Sequence, residues 1–280
     1  MVRSKAFTLI ELLVCITVIA ILIALVTPGL DRVRERGLLT TSLSNAHQVA
    51  LAGGAYQQDF KDRLPFTPVY RRGAVPGPGS GPLEGLCPWS FCGSNNAATW
   101  AGLPFDIEAA DRPMNDYIAS GLVLDAPAPP QTMAAGDSAR KLVIPLVRTR
   151  GFEDSLEHTF PAAPAPTSGV SCYEDVGTSY LLNLRWLDTF AATGDAAEQV
   201  RRGLPALTSA LGRIRTDHFA WFTDQTGEAF PRVTALPFEW NNAFDDDDQS
   251  VMGFVDGHAA YAKIEAGKTS GKDFTLLLTP

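Results

Sequence analysis

The sequence has few of the residues from which catalytic and metal centres are usually built. Its 280 residues include only four histidines and four cysteines. The histidines lack the His-x-x-x-His or His-Glu-x-x-His spacing that brings two rings to one metal ion, since they stand at His47, His158, His218 and His258. A Gly-x-Ser-x-Gly elbow and a Gly-x-x-x-x-Gly-Lys-Ser/Thr phosphate loop are absent as well. We therefore predict that the protein is not an enzyme, and in particular not an assembly ATPase.

Positive charge is also scarce. The 23 lysine and arginine residues face 31 aspartate and glutamate residues, which gives a formal net charge of −8 at pH 7 and a pI near 5.0. Nucleic-acid binding depends on clustered basic side chains that neutralise phosphates. Here Arg32, Arg34 and Arg36 are interleaved with Asp31 and Glu35. Nucleic acid is therefore not expected among the ligands.

Only one long hydrophobic run is present, which excludes a protein with several membrane spans. Between Phe7 and Val26, 17 of 20 residues are apolar when Cys15 is counted, and a short basic leader precedes them. A secretory signal peptide has a shorter apolar region of about 7–15 residues, whereas about 20 apolar residues span a bilayer as a helix. A plain anchor has the right length but does not explain Glu11, because a carboxylate costs roughly 2.5–3.5 kcal/mol near the membrane centre and less toward the edge.

The residues around Glu11 carry a family resemblance. The segment Lys5-Ala6-Phe7-Thr8-Leu9-Ile10-Glu11-Leu12-Leu13-Val14 resembles the processing site of type IV prepilins and of the pseudopilins of type II secretion systems. The resemblance implies that a prepilin peptidase cuts between Ala6 and Phe7 and methylates the new amino group of Phe7. Glu11 then becomes the fifth residue of the mature chain. Ala6 stands where most family members have glycine.

The resemblance also suggests a physical role for Glu11. Cleavage frees an ammonium group at Phe7, and the Glu11 carboxylate of one subunit can pair with the ammonium of a neighbour. Inside lipid this pairing relieves two costly charges. We therefore expect the N-terminal helices to pack side by side and in register.

The resemblance implies an α+β, pilin-like fold, with a long N-terminal helix packed on an antiparallel sheet and a large, loop-rich head. It divides the chain into a cleaved leader (1–6), a transmembrane and assembly helix (7–29), a soluble continuation of that helix (30–64) and a globular head (65–280). Pro28 is expected to break the helix, because proline lacks the amide hydrogen and clashes with the preceding turn. Helical periodicity then resumes along one face, which comprises Leu39, Leu43, Ala46, Ala50, Gly53, Gln57 and Phe60. The segment from Asp59 to Pro65 is expected to end the helix.

Regular structure in the head is predicted mainly near the end of the sequence. Fifteen of the 20 prolines lie between Pro65 and Pro166, which favours turns and loops there. That region offers only strand candidates at 141–144 and 146–148 and a short helix at 115–124. The later pattern predicts a helix at 195–214, which Pro205 could break, and strands at 178–184, 219–222, 251–255 and 259–264.

The last two strands flank a turn that carries a second resemblance. Phe254-Val255-Asp256-Gly257-His258 resembles the C-terminal hairpin of a large group of planctomycete-type prepilin-like proteins, named for a histidine, nine residues and then Asp-Gly. The position of that upstream histidine holds Asp246 here. We interpret Asp256-Gly257 as a β-turn that needs the backbone freedom of glycine.

Two further clusters allow alternative interpretations. Residues Asp245, Asp246, Asp247 and Asp248 could supply oxygen ligands for Ca²⁺, but the EF-hand spacing is absent and a solvated acidic loop is the favoured interpretation. No other cofactor is expected. Cys87 and Cys92 could form a disulfide in an exported head, whereas zinc is disfavoured because no paired histidines accompany the two thiols.

The resemblance implies a structural subunit that polymerises into a type II secretion pseudopilus or a type IV pilus-like filament. The 216 residues after Leu64 make a large head, which favours a minor or specialised subunit. The implied partners are prepilin peptidase, an inner-membrane assembly platform, other pilin-like subunits and membrane lipid. The expected location is a single pass through the cytoplasmic membrane, with a cytoplasmic N-terminus and the head in the periplasm or outside the cell. The alternative is a membrane-anchored extracytoplasmic binding module that does not polymerise.

Overall fold

The computed structural model describes residues 8–70, 83–93, 95–96, 107–118, 176–193, 195–232, 244, 246 and 248–278. An N-terminal helix, α1 (Leu9–Asp59), is followed by antiparallel sheets, which confirms the predicted α+β class. The other α-helices of the described residues are α2 (Asn115–Ile118), α3 (Ala196–Leu211) and α4 (Gln225–Ala229), and 3-10 helices span Ala109–Asp111, Arg185–Thr193 and Phe230–Arg232. The strands are β1 (Pro68–Tyr70), β2 (Leu83–Leu86), β3 (Leu181–Leu182), β4 (Ala220–Thr223), β5 (Gln249–Phe254) and β6 (Ala259–Lys263). The strand candidates at 141–144 and 146–148 lie outside the described residues.

Helix α1 is 51 residues long and runs through Pro28 without interruption, so the predicted break at Pro28 is wrong. Proline removes one hydrogen bond and costs about 3 kcal/mol in a helix interior, but the bonds on either side remain and keep the two halves in register. The neighbouring Thr27 hydroxyl also donates to the Ile23 carbonyl at 2.8 Å. Pro205 likewise lies inside α3 without breaking it.

The end of α1 matches the prediction. The last helical residue is Asp59, and the amide of Asp62 then donates to the Gln57 carbonyl at 2.8 Å. Lys61 and Asp62 turn the chain with positive φ angles of 56° and 61°. This left-handed turn closes the helix in the way that C-terminal caps usually do.

The second half of α1 packs on a four-stranded antiparallel sheet of order β3-β4-β5-β6. The buried face of the helix is made of small and branched side chains, namely Ser42, Asn45, Ala46, Val49, Ala50 and Gly53. Trp221 of β4 lies so close to the helix that a Cβ atom on Gly53 would stand 2.6 Å from its Cζ2 atom. The Tyr180 hydroxyl, next to β3, donates to the Ser42 carbonyl at 2.9 Å. Gly53 thus permits one close approach, and Tyr180 forms a second link eleven residues earlier in α1.

Phe60 is the exception to the predicted buried face. It is 47% exposed and stacks on Tyr56 with ring centroids 4.3 Å apart. Tyr117 of α2 meets Tyr56 edge-on and donates its hydroxyl to Asp59 at 2.7 Å. The helix end therefore carries a surface aromatic group in place of a core contact.

Three of the predicted strands are present as β4, β5 and β6, and the fourth is much shorter than expected. Of 178–184 only Leu181–Leu182 is a strand, paired with Thr223 and Phe222 of β4. The Thr178 hydroxyl accepts a hydrogen bond from the Tyr180 amide at 3.2 Å, and the Asn183 side chain donates to the Ala220 carbonyl at 2.7 Å. Such side-chain bonds to the backbone compete with a regular ladder.

A buried carboxylate joins α4 to the sheet. Asp224 caps α4 and accepts hydrogen bonds from the Ser250 hydroxyl at 2.7 Å, the Val251 amide at 2.9 Å and the Gly227 amide at 3.2 Å. Burial raises the pKa of Asp224 to about 6, against the opposing effect of these donors. Sequence reasoning missed this group, because nothing in the order of residues marks Asp224 as buried.

Candidate functional site

The candidate site is the N-terminal part of α1. Ala6 and Phe7 lie outside the described residues, which begin at Thr8. Thr8 is the N-cap of α1 and forms a reciprocal capping box with Glu11. The Thr8 amide and hydroxyl each donate to Glu11 Oε2 at 2.8 Å, and the Glu11 amide donates to Thr8 Oγ1 at 3.3 Å. The Thr-x-x-Glu spacing is a known sequence signature of this cap, so sequence analysis could have found the contact but did not.

Beyond Glu11 the helix is an exposed apolar rod. Leu9–Thr27 is long and apolar enough to cross a membrane, and none of it is buried against the rest of the described protein. At 1.5 Å per residue its 19 residues measure about 28 Å, close to the roughly 30 Å of a bilayer core. The Thr17 hydroxyl donates to the Val14 carbonyl at 2.8 Å, so this polar group is satisfied inside the helix.

This arrangement leaves one charge in an otherwise apolar surface. Both Thr8 donors bind the same oxygen of Glu11, and no side chain of the head, as far as the structure describes it, reaches the carboxylate. A carboxylate in a low-dielectric environment is stabilised by pairing with a cation. Chemically, the segment is therefore suited to membrane insertion and to binding a positive group beside Glu11.

An exposed apolar span that starts with a capped carboxylate indicates an N-terminal membrane anchor that projects from the folded head. Residues 1–27 match the family described as the prokaryotic N-terminal methylation motif. The chain thus carries the prepilin-type cleavage and methylation signature of type IV pilin-like proteins, which confirms the resemblance seen in the sequence. No curated protein and no solved structure matches the chain.

The C-terminal turn is a tight hairpin that touches α1. Gly257 has a φ of +95°, and a Cβ atom there would stand 2.9 Å from Cδ2 of Leu51. His258 stacks on Phe254 at 4.0 Å, and its Nδ1 atom lies 2.6 Å from Asp256 Oδ1. The geometry agrees with the interpretation of Asp256-Gly257 as a turn that needs glycine, and the His258 ring packs against the hairpin itself.

The acidic loop makes contacts to β6. Asp246 Oδ2 accepts a hydrogen bond from the Tyr261 hydroxyl at 2.7 Å, and Asp248 forms an ion pair with Lys263. Asp245 and Asp247 lie outside the described residues. Within the described residues no group of three or more His, Cys, Asp or Glu side chains is arranged to hold a metal ion. Calcium binding by this loop stays a prediction.

Cys87 and Cys92 are free thiols, so the predicted disulfide between them is wrong. The chain turns after Cys87, where the Ser90 hydroxyl donates to the Cys87 carbonyl at 2.9 Å. The Cys92 sulfur lies 3.9 Å from the Thr178 hydroxyl, on the segment that leads to β3. Burial raises the pKa of both thiols to about 12, which keeps them protonated and unreactive.

Proposed function

We propose that the protein is a pilin-like structural subunit whose N-terminal helix assembles with those of other pilin-like subunits. In this proposal residues 1–6 are removed by prepilin peptidase and Phe7 becomes the methylated N-terminus. Residues 7–29 form the membrane and assembly segment, 30–64 continue the helix and 65–280 form the head. The observation that supports it is the fully exposed apolar span with Glu11 at its start.

Charge pairing would set the register of assembly. A lone carboxylate inside a membrane costs up to roughly 2.5–3.5 kcal/mol, and the ammonium freed at Phe7 carries a similar penalty. A neighbouring subunit supplies the missing partner when the two helices lie side by side at the right height. The capping bonds from Thr8 hold the carboxylate at the helix start, where the neighbour's ammonium would arrive.

The finer role follows from the size of the head and from the family resemblance. We propose a minor or specialised subunit of a type II secretion pseudopilus or a type IV pilus-like filament, since 216 residues follow Leu64. An inner-membrane platform would receive the subunit while it is still in the cytoplasmic membrane. Its N-terminus would face the cytoplasm and its head the periplasm or the exterior.

Replacing Glu11 by glutamine tests the pairing step. Glutamine keeps a side-chain oxygen for the Thr8 donors but removes the charge, so we expect filament incorporation to fall at least tenfold while cleavage continues. Thr17→Val is the matched control, because it changes a polar side chain of the same apolar span without changing the charge. Incorporation is measured as the fraction of subunit recovered in sheared filaments.

Intact-mass analysis of the same membrane extracts reports processing separately. We expect loss of Met1–Ala6 and the gain of one methyl group in the wild type, Glu11→Gln and Thr17→Val proteins. Normal incorporation of Glu11→Gln would refute the pairing mechanism. A processed wild-type chain that never enters a filament would favour the alternative, a membrane-anchored extracytoplasmic binding module. A mature N-terminus near Pro28 would refute prepilin-type processing.

A further inference from the structure

A polar cavity lies where α1, α3 and the C-terminal hairpin meet. Its volume is about 410 Å³, within the range of small-molecule sites. Its polar walls come from three distant parts of the chain, the end of α1, the end of α3 with the turn beyond it, and the hairpin turn. They include Gln57, Asp62, Thr208, Ser209, Thr216 and Asp256.

The cavity is rich in hydrogen-bond acceptors. The carboxylate of Asp62 is exposed to solvent and has no ion pair or hydrogen bond with any other described residue, and no lysine or arginine stands among the described residues of the walls. Asp256 Oδ1 accepts from the His258 amide at 3.1 Å and also lies near its ring nitrogen. The carboxyl end of α3 adds backbone carbonyls that lack partners inside the helix. An anion is therefore disfavoured.

The walls also offer groups that can donate. The hydroxyls of Ser209 and Thr216 make no side-chain hydrogen bond to the described residues. The amide nitrogen of Gln57 is sealed from solvent and has no partner within the same described part of the chain. The donors that face the open cavity are therefore the two hydroxyls, and the Gln57 side chain completes the wall beside them.

We propose that this cavity binds a hydroxyl-rich ligand, a hexose unit of a glycan. A sugar hydroxyl donates to carboxylates and carbonyls and accepts from amides and hydroxyls, so it matches both kinds of wall group. A bare metal ion fits less well, because the space greatly exceeds one ion and the described residues hold no cluster of three metal-ligating side chains. This proposal does not depend on whether the chain polymerises.

Saturation-transfer NMR on the full chain tests the proposal, in micelles of lauryldimethylamine oxide, a detergent without a sugar headgroup. The probes are the methyl α-glycosides of glucose, galactose and mannose, with putrescine and Ca²⁺ as competing cations. We expect saturation of the ring protons of at least one glycoside. The affinity for that glycoside should fall about tenfold in Asp62→Gly, and severalfold in Ser209→Ala.

The adjacent Lys61→Gly variant is the matched control. Lys61 and Asp62 share the same left-handed turn, so both glycine variants relax the backbone equally, but only Asp62 lines the cavity. Glycoside binding should be unchanged in Lys61→Gly. The proposal is overturned if no glycoside binds, if binding is equal in Asp62→Gly and Lys61→Gly, or if only putrescine or Ca²⁺ shows a loss of affinity in Asp62→Gly.

Discussion

Replacing Gly53 by alanine is expected to loosen the contact between α1 and the sheet. A Cβ atom at this position would stand 2.6 Å from Trp221 Cζ2, with two more indole atoms at 3.2 and 3.3 Å. The ring is 1% exposed and packed by Phe91 and Phe222, so it has little room to withdraw. Overpacking of this kind costs typically about 1–3 kcal/mol.

Alanine also brings a gain that has to be subtracted. In a helix interior it is favoured over glycine by roughly 0.8–1 kcal/mol. The net change for Gly53→Ala is therefore a destabilisation of about 0–2 kcal/mol, which by itself is hard to interpret. Gly54→Ala resolves the difficulty, because a Cβ atom on Gly54 meets nothing within 4 Å. Gly54→Ala should therefore show only the stabilisation that alanine brings over glycine in a helix interior.

The difference in the free energy of unfolding between the two variants measures the cost of the contact between the new Cβ atom and Trp221. We expect Gly53→Ala to be less stable than Gly54→Ala by about 1–3 kcal/mol, measured from denaturant unfolding of the full chain in micelles by tryptophan fluorescence. The emission of the five tryptophans together reports the unfolding transition, and equal native spectra would show that neither variant changes the average environment of these side chains. Equal stabilities would refute the close approach of Trp221 to the helix.

Two further predictions concern buried polar groups. Tyr180→Phe removes the hydrogen bond to the Ser42 carbonyl, so the free energy of unfolding, measured by thermal unfolding, should fall by roughly 1 kcal/mol. The surface variant Tyr117→Phe should lose less. Equal losses in the two variants would argue against the link between Tyr180 and α1. Because burial raises the pKa of Asp224 from 3.8 to about 6, the native state binds a proton at pH 4–6 that the unfolded state does not. The stability of wild type relative to Asp224→Asn should therefore decrease by up to about 3 kcal/mol between pH 4 and pH 7, and an increase over that range would contradict it.

Local patterns in the sequence predicted the elements that depend on neighbouring residues. The exposed span, the end of α1 near Asp59 and the hairpin at Asp256-Gly257 each follow from a run of apolar residues or from turn residues at fixed spacing. The Thr8–Glu11 cap also depends only on local spacing, although the sequence analysis did not predict it. These features need no knowledge of distant contacts, which is why the sequence alone was sufficient for them.

The errors arose where distant contacts or element length decide the outcome. Pro28 was expected to break α1, and Pro205 was considered as a break point in α3, but a single lost bond does not end a helix supported on both sides. Cys87 and Cys92 are close in sequence, yet Cys92 lies beside Thr178, a neighbour that spacing cannot reveal. The cavity beside Asp62 also escaped prediction, because it combines the end of α1 with residues 208–216 and 255–256, which lie more than a hundred residues further along the chain.

The unbroken course of α1 has a mechanical consequence. With 51 residues at 1.5 Å each, the helix is a rod of about 77 Å that carries the membrane span at one end and the sheet at the other. The head contacts this helix at Ser42 through Tyr180 and at Gly53 through Trp221, and two contacts along one helix resist both sliding and rotation of the head. A force that moves the span out of the bilayer therefore moves the helix and the head together, and the head is displaced by the same distance as Glu11.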